Sequence, residues 1–142
     1  VGYLENQKYL GNILAVQYDN VINHSGQNIG SVILRYCHLA SIKKKSGTVD
    51  SNTLIAMRGA TGIGAGSGKR PHLHLEADTD CDYPLATPSE PATGGTATTV
   101  INPMNILFKD SNQSFYANTD PYLHTDGNYY YLVDEGITVP FA

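Results

Sequence analysis

The chain has 142 residues and a mass of 15.3 kDa, the size of one ordinary domain. Nine Lys and Arg against 13 Asp and Glu give a formal charge of −4, so the chain lacks the basic footprint of a nucleic-acid binder. With 41% hydrophobic residues, 14 Gly and 7 Pro, no apolar run near the roughly 18 residues of a membrane span and nothing shaped like a signal peptide, the composition predicts a soluble, folded domain with no membrane span.

The hydrophobic period is two rather than 3.6, which predicts a mainly β fold. Ile13-Leu14-Ala15-Val16-Gln17-Tyr18 reads as a strand ended by the turn-rich run Asp19 to Asn28. A second strand follows at Ser31 to His38, with Val32, Leu34, Tyr36 and His38 on one face and Ile33, Arg35 and Cys37 on the other. These two form an antiparallel pair across a long connection. Ser41 to Lys45 is polar and basic, Gly47 to Asn52 is a turn, and Thr53 to Met57 is a short strand. The glycine-dense loop Gly59 to Gly68 then delivers the chain into Pro71-His72-Leu73-His74-Leu75-Glu76. That alternation places Leu73 and Leu75 toward the core and His72, His74 and Glu76 on the opposite face.

Asp78 to Thr99, with Pro84, Pro88, Pro91 and Gly94-Gly95, reads as a long surface loop of the kind that borders functional sites. Asn102 to Leu107 reads as one helical turn with Pro103 at its first position. In the remainder, Tyr129-Tyr130-Tyr131-Leu132-Val133, the turn Asp134-Glu135-Gly136 and Ile137-Thr138-Val139 read as a terminal β-hairpin. Cys37 and Cys81 either pair in an oxidising compartment or remain free thiols. The chain starts at Val1 without Met and its first element is under way by Ile13, the pattern of a piece of a longer polypeptide.

Of the five histidines, His72 and His74 form the informative pair. Alternate strand side chains sit about 6.5–7 Å apart and point the same way. Both imidazoles can therefore reach one small volume where a Zn²⁺ could sit. Both could ligate, or one could ligate while the other handles protons; alternation leaves this open, as it does the plainer reading of two exposed polar residues. His38 is a second candidate, against the plain alternative of a hydrogen-bonded strand histidine. The preceding glycine loop offers a flexible backbone that a substrate chain could approach closely. It resembles a phosphate cradle only superficially, because Lys69-Arg70-Pro71 and a strand follow where a P-loop needs Gly-Lys-Ser/Thr and a helix. Lys43-Lys44-Lys45 reads as a solvated loop, and His24 and His124 as incidental.

Taken in order, Gly11-Asn12, Arg35-Tyr36-Cys37-His38-Leu39, Gly47-x-Val49, Ile55, Gly59-x-Thr61-Gly62 and Pro71-His72-Leu73-His74-Leu75-Glu76 form a series. It resembles the core of the lysostaphin-type zinc endopeptidases of bacterial cell walls, with Asn102-Pro103-Met104 and Leu107 similar to that family's closing Asp-Pro-x-x-x-Leu. The likeness spans Gly11 to Leu107. It implies a compact antiparallel β-sheet or barrel-sandwich architecture, with residues 1–108 as a peptidase-like core that is incomplete at its N-terminus; residues 109–142 lie outside the likeness and read as a Tyr-rich β-hairpin extension packed on that core. The likeness further implies His74 as a zinc ligand, His72 as the general base and His38 as the stabiliser of the tetrahedral oxyanion. The implied substrate is the peptide of peptidoglycan, met outside the cytoplasm, at the cell wall or on a phage particle.

The family takes its other two zinc ligands from a His-x-x-x-Asp motif ahead of the Gly-Asn strand, and Val1 to Leu10 holds neither His nor Asp. His24-Ser25-Gly26-Gln27-Asn28 has Asn in the place of Asp and follows that strand. A catalytic zinc needs three protein ligands, so the resemblance implies an incomplete Zn²⁺ site completed by a missing N-terminal segment or a companion chain. The alternatives are a catalytically inactive domain of the same fold that binds cell wall or a partner protein, and a three-histidine metal site of other chemistry using His38, His72 and His74.

Overall fold

The structure, a computed structural model, describes residues 1–106 apart from His24, Ser67 and Lys69, together with two short strands at 123–126 and 129–132. The fold is mainly β. β1 (Gly2–Gln7), β2 (Gly11–Tyr18), β3 (Val32–Cys37), β6 (His74–Asp78) and β7 (Val100–Ile101) form one five-stranded antiparallel sheet in the order β1-β2-β3-β6-β7. β4 (Ser41–Ile42) and β5 (Ala56–Met57) form a separate two-stranded ladder. Among the described residues no helix is long and apolar enough to cross a membrane.

The central strands are apolar on both sides because the sheet is covered on both faces. In β3 the expected faces hold: Val32, Leu34 and Tyr36 alternate with Ile33, Arg35 and Cys37. On the first face, Leu14, Val16, Leu39 and Ile42 pack with Val49, Ile55 and Ala56 of the β4–β5 region. Alongside them, Val32, Leu34 and Ala77 pack with Val21, Ile29, Ile101 and Ile106. On the second face, Ile13 and Cys37 pack with Leu10 and Leu85.

Several expectations are corrected. β1 precedes the first strand read from sequence; its exposed Tyr3, Glu5 and Asn6 at the sheet edge hide the strand pattern, and left-handed Asn6 (φ 59°) falls within a break in its register. Leu73 does not face the core but is 45% exposed, since β6 starts only at His74, while His72 makes one isolated bridge to Gly59. Glu76 is buried, not outward, because β6 lies between β3 and β7 and Arg35 stands opposite it in register.

The 78–99 segment is anchored rather than a free surface loop. Thr87 and Glu90 are fully buried, and the Glu90 Oε2 accepts the backbone N–H groups of Tyr9 (2.7 Å) and Leu10 (2.9 Å). The turn at Pro103–Asn105 forms as a single 3-10 turn. Cys37 and Cys81 are both free thiols.

Tyr129–Leu132 (β9) pairs antiparallel with the preceding Leu123–Asp126 (β8). The expected strand at Ile137 to Val139, the packing of residues 109–142 on the core, and His24 lie outside the described residues.

Candidate functional site

The site begins where β3 ends. Strict alternation would put His38 on the face of Tyr36, whose partner is Leu75, whereas His74 pairs with Cys37. His38 instead adopts a left-handed backbone (φ 59°), uncommon for a residue with a side chain. Its ring comes to lie 4.8 Å from that of His72, tilted by 48°, and 5.5 Å from that of His74, edge to face. The three rings expected to meet are thus adjacent.

The backbone at His38 is held by the residues that gave the sequence series its pattern. His38 N donates to Leu10 O (2.8 Å), Leu39 N to Asn12 O (3.1 Å) and Thr61 N to His38 O (3.3 Å). Leu39 O accepts both Asn12 Nδ2 and Thr61 Oγ1, each at 2.9 Å, and Thr61 Oγ1 accepts Asn12 N at 3.0 Å. This close approach needs glycine at two places. A Cβ on Gly11 (φ 66°) would lie 2.2 Å from Thr61 Oγ1, and one on Gly62 (φ 78°) would lie 2.4 Å from Gly11 N. The start of the glycine loop therefore packs inward, against Gly11 and the Lys8–Tyr9 turn, while a Cβ at Gly66 or Gly68 would meet nothing.

Each histidine has one ring nitrogen tied to an acceptor, which fixes its neutral tautomer. The carbonyl oxygens of Thr61 and Arg70 can only accept, so His38 Nδ1–H donates to Thr61 O (2.7 Å) and His72 Nδ1–H to Arg70 O (3.0 Å). Their Nε2 atoms carry the lone pairs. His74 is opposite in sense: its Nε2 meets Glu76 Oε1 at 3.3 Å, so the lone pair is on Nδ1.

His38 is 1% exposed. Burial, reinforced by His74 and His72 and only partly offset by the bond to Thr61, holds its pKa below the ordinary histidine value. A neutral His38 with Nδ1–H committed to Thr61 offers no N–H at Nε2. The oxyanion-stabilising role that the resemblance implies for His38 would require the charged ring, which burial disfavours. His72 is half-buried, and the His74 side chain is 35% exposed.

Behind His74 lies a buried charge cluster that the sequence did not single out. Arg35, wholly buried, places Nη2 2.7 Å from Asp78 Oδ2 and Nη1 3.5 Å from Glu76 Oε2, and its Nε donates to Pro84 O at 2.8 Å. Thr87 Oγ1 donates a short hydrogen bond to Glu76 Oε2. Burial pushes the Glu76 pKa up, but hydrogen bonds from His74, Ser89 and Thr87 outweigh it and hold the carboxyl down to about 2. The available signal was the His74-x-Glu76 spacing, which puts both side chains on one face of a strand.

Among the described residues, no group of three or more His, Cys, Asp or Glu side chains could hold a metal ion. The residues present fit one zinc ligand, His74 backed by a carboxylate, and not a complete centre. Three concavities lined by described residues lie elsewhere, including an apolar one of about 210 Å³ lined by Tyr18, Val21, Val32, Leu34, Tyr36 and Ile106. No protein-family model, curated protein or solved structure matches this chain.

Proposed function

We propose that this domain is a zinc-dependent endopeptidase, or the C-terminal part of one, that hydrolyses peptide bonds of bacterial peptidoglycan, acting outside the cytoplasm or on a phage particle. The observation that carries this reading is the adjacency of three imidazoles from two separate stretches of chain, each with one nitrogen tied and the other a free lone pair. The ordered motif series supports it, since Gly11, Asn12, Thr61 and Gly62 all serve the backbone at His38. Zinc, when bound, lowers the pKa of a water and polarises a carbonyl. In this reading His74 contributes one ligand through Nδ1, and the remaining ligands come from another segment or a companion chain. His72 takes a proton at Nε2, and its Nδ1–H bond to the Arg70 carbonyl supports the imidazolium that results. His38, neutral and buried, is a second acceptor packed behind it.

One observation favours a second reading, a catalytically inactive module of the same fold that binds cell wall or a partner protein: the lack of a three-donor group among the described residues. The test joins this chain to the polypeptide encoded ahead of Val1 and measures zinc content and the amino groups released from purified peptidoglycan. The peptidase reading expects a His-x-x-x-Asp pattern there, loss of zinc in His74→Ala, and a fall in hydrolysis of roughly a hundredfold or more in His72→Ala. Full zinc retention in His74→Ala overturns it. So does peptidoglycan that co-sediments with the protein but releases no amino groups, the result the binding module expects.

A further inference from the structure

We propose that Glu76 is a positioning residue that selects which nitrogen of His74 is free. A free imidazole exchanges between two neutral tautomers, and a fixed acceptor at one nitrogen removes that choice. Glu76 is suited to be that acceptor because its carboxylate is itself held on the other side. Oε2 takes the Thr87 hydroxyl and faces Arg35 Nη1, leaving Oε1 for His74 Nε2–H. The charge balance points the same way. Buried Arg35 carries one positive charge against the two carboxylates Glu76 and Asp78, so the cluster is short of one positive charge on the side facing His74. Arg35 Nη1 has no hydrogen-bond partner, so the carboxylate facing it is not saturated by the guanidinium. A proton or a cation held at His74 Nδ1 would supply the missing charge while Nε2–H stays on Glu76.

The selection of Nδ1 concerns this chain alone; its use by a metal rests on the endopeptidase reading. Long-range proton–nitrogen correlation spectra of the 15N-labelled 142-residue chain, at about pH 8.5 where imidazoles are neutral, report the tautomer of each histidine directly. His74 is expected as the Nε2–H form, with His38 and His72 in the Nδ1–H form. In Glu76→Gln the amide oxygen stays with the Thr87 hydroxyl on the side facing Arg35 and the NH₂ group turns to His74, so His74 switches to Nδ1–H. A wild-type His74 that is Nδ1–H or an even mixture of both forms overturns the proposal without any variant. An unchanged His74 tautomer in a folded Glu76→Gln chain overturns it as well. Titration with zinc alone separates the two readings. A shift confined to His74 Nδ1, roughly tenfold or more weaker in Glu76→Gln, supports both. A fixed Nε2–H tautomer whose Nδ1 ignores zinc leaves Glu76 as the positioning residue and overturns the assignment of His74 as a ligand.

Discussion

The rings of His38 and His72 lie 4.8 Å apart because the left-handed backbone at His38 turns its side chain out of the alternation of β3. The consequence reaches beyond geometry. A strand running straight through position 38 would place the ring on the face of Tyr36 and Leu75, which is filled by the apolar core around Leu14 and Leu39. The cluster therefore depends on one backbone conformation, and that conformation depends on Asn12 and Thr61. Four measurements probe this arrangement.

Thr61→Val keeps the side-chain shape but removes the hydroxyl that accepts from Asn12 N and donates to Leu39 O. The loss is expected to cost about 1–3 kcal/mol in urea unfolding. Because Thr61 also supplies the carbonyl that holds His38 Nδ1, the His38 ring resonances should move more than those of His74. A variant as stable as the parent, with unmoved His38 resonances, would remove Thr61 from the account of the site.

Glu90 anchors the 78–99 segment by accepting two N–H groups at the β1–β2 turn. Glu90→Ala leaves both donors without that partner in a buried setting and should destabilise by roughly 2–4 kcal/mol. Glu90→Gln keeps one acceptor oxygen and should lose clearly less. Equal losses in the two variants would show that packing, rather than the carboxylate, holds the segment.

Arg35→Met removes the positive charge shared by Glu76 and Asp78 and leaves two buried carboxylates facing each other across the gap. A loss of roughly 3–5 kcal/mol is expected. Adding Asp78→Asn should restore part of it, because one uncompensated charge disappears. A double variant no more stable than Arg35→Met alone would count against the charge-balance argument.

The pH dependence of stability follows from two groups of the same sign. The folded-state pKa of Glu76 is about 2 against an ordinary 4.5, so its contribution is complete above about pH 4.5 and is lost as pH falls toward 2. His38 has a folded-state pKa below the ordinary 6.5, so the native state is favoured fully above that value and loses this advantage as pH falls below it. The melting temperature should therefore decline in two stages on acidification, the upper removed by His38→Gln and the lower by Glu76→Gln. A decline that survives both substitutions would assign the acid sensitivity to other groups.

The β class, the antiparallel pairing of β2 with β3 and the facing of Ile33, Arg35 and Cys37 against Val32, Leu34 and Tyr36 were legible because they follow from a period of two and its register. The three histidines were legible as candidates from the His72-x-His74 spacing and from the motif order around His38. The edge strand β1 was not, since half of it faces solvent with polar side chains and carries little apolar signal. Nor were the anchors in the 78–99 segment, because Pro and Gly mark turns without showing what packs beneath them.

By itself, then, the sequence determined the central strands β2 and β3 and the identity of the three imidazoles, since both are local properties of residue type and spacing. Only the tertiary structure decided that His38 leaves its strand face, that Glu76 is buried against Arg35, and which nitrogen of each ring is free. These depend on acceptors far along the chain, Thr61 O for His38 and the Thr87–Arg35 pair for Glu76. A lone pair is placed by the groups that surround a side chain, and those groups meet only when the sheet has formed.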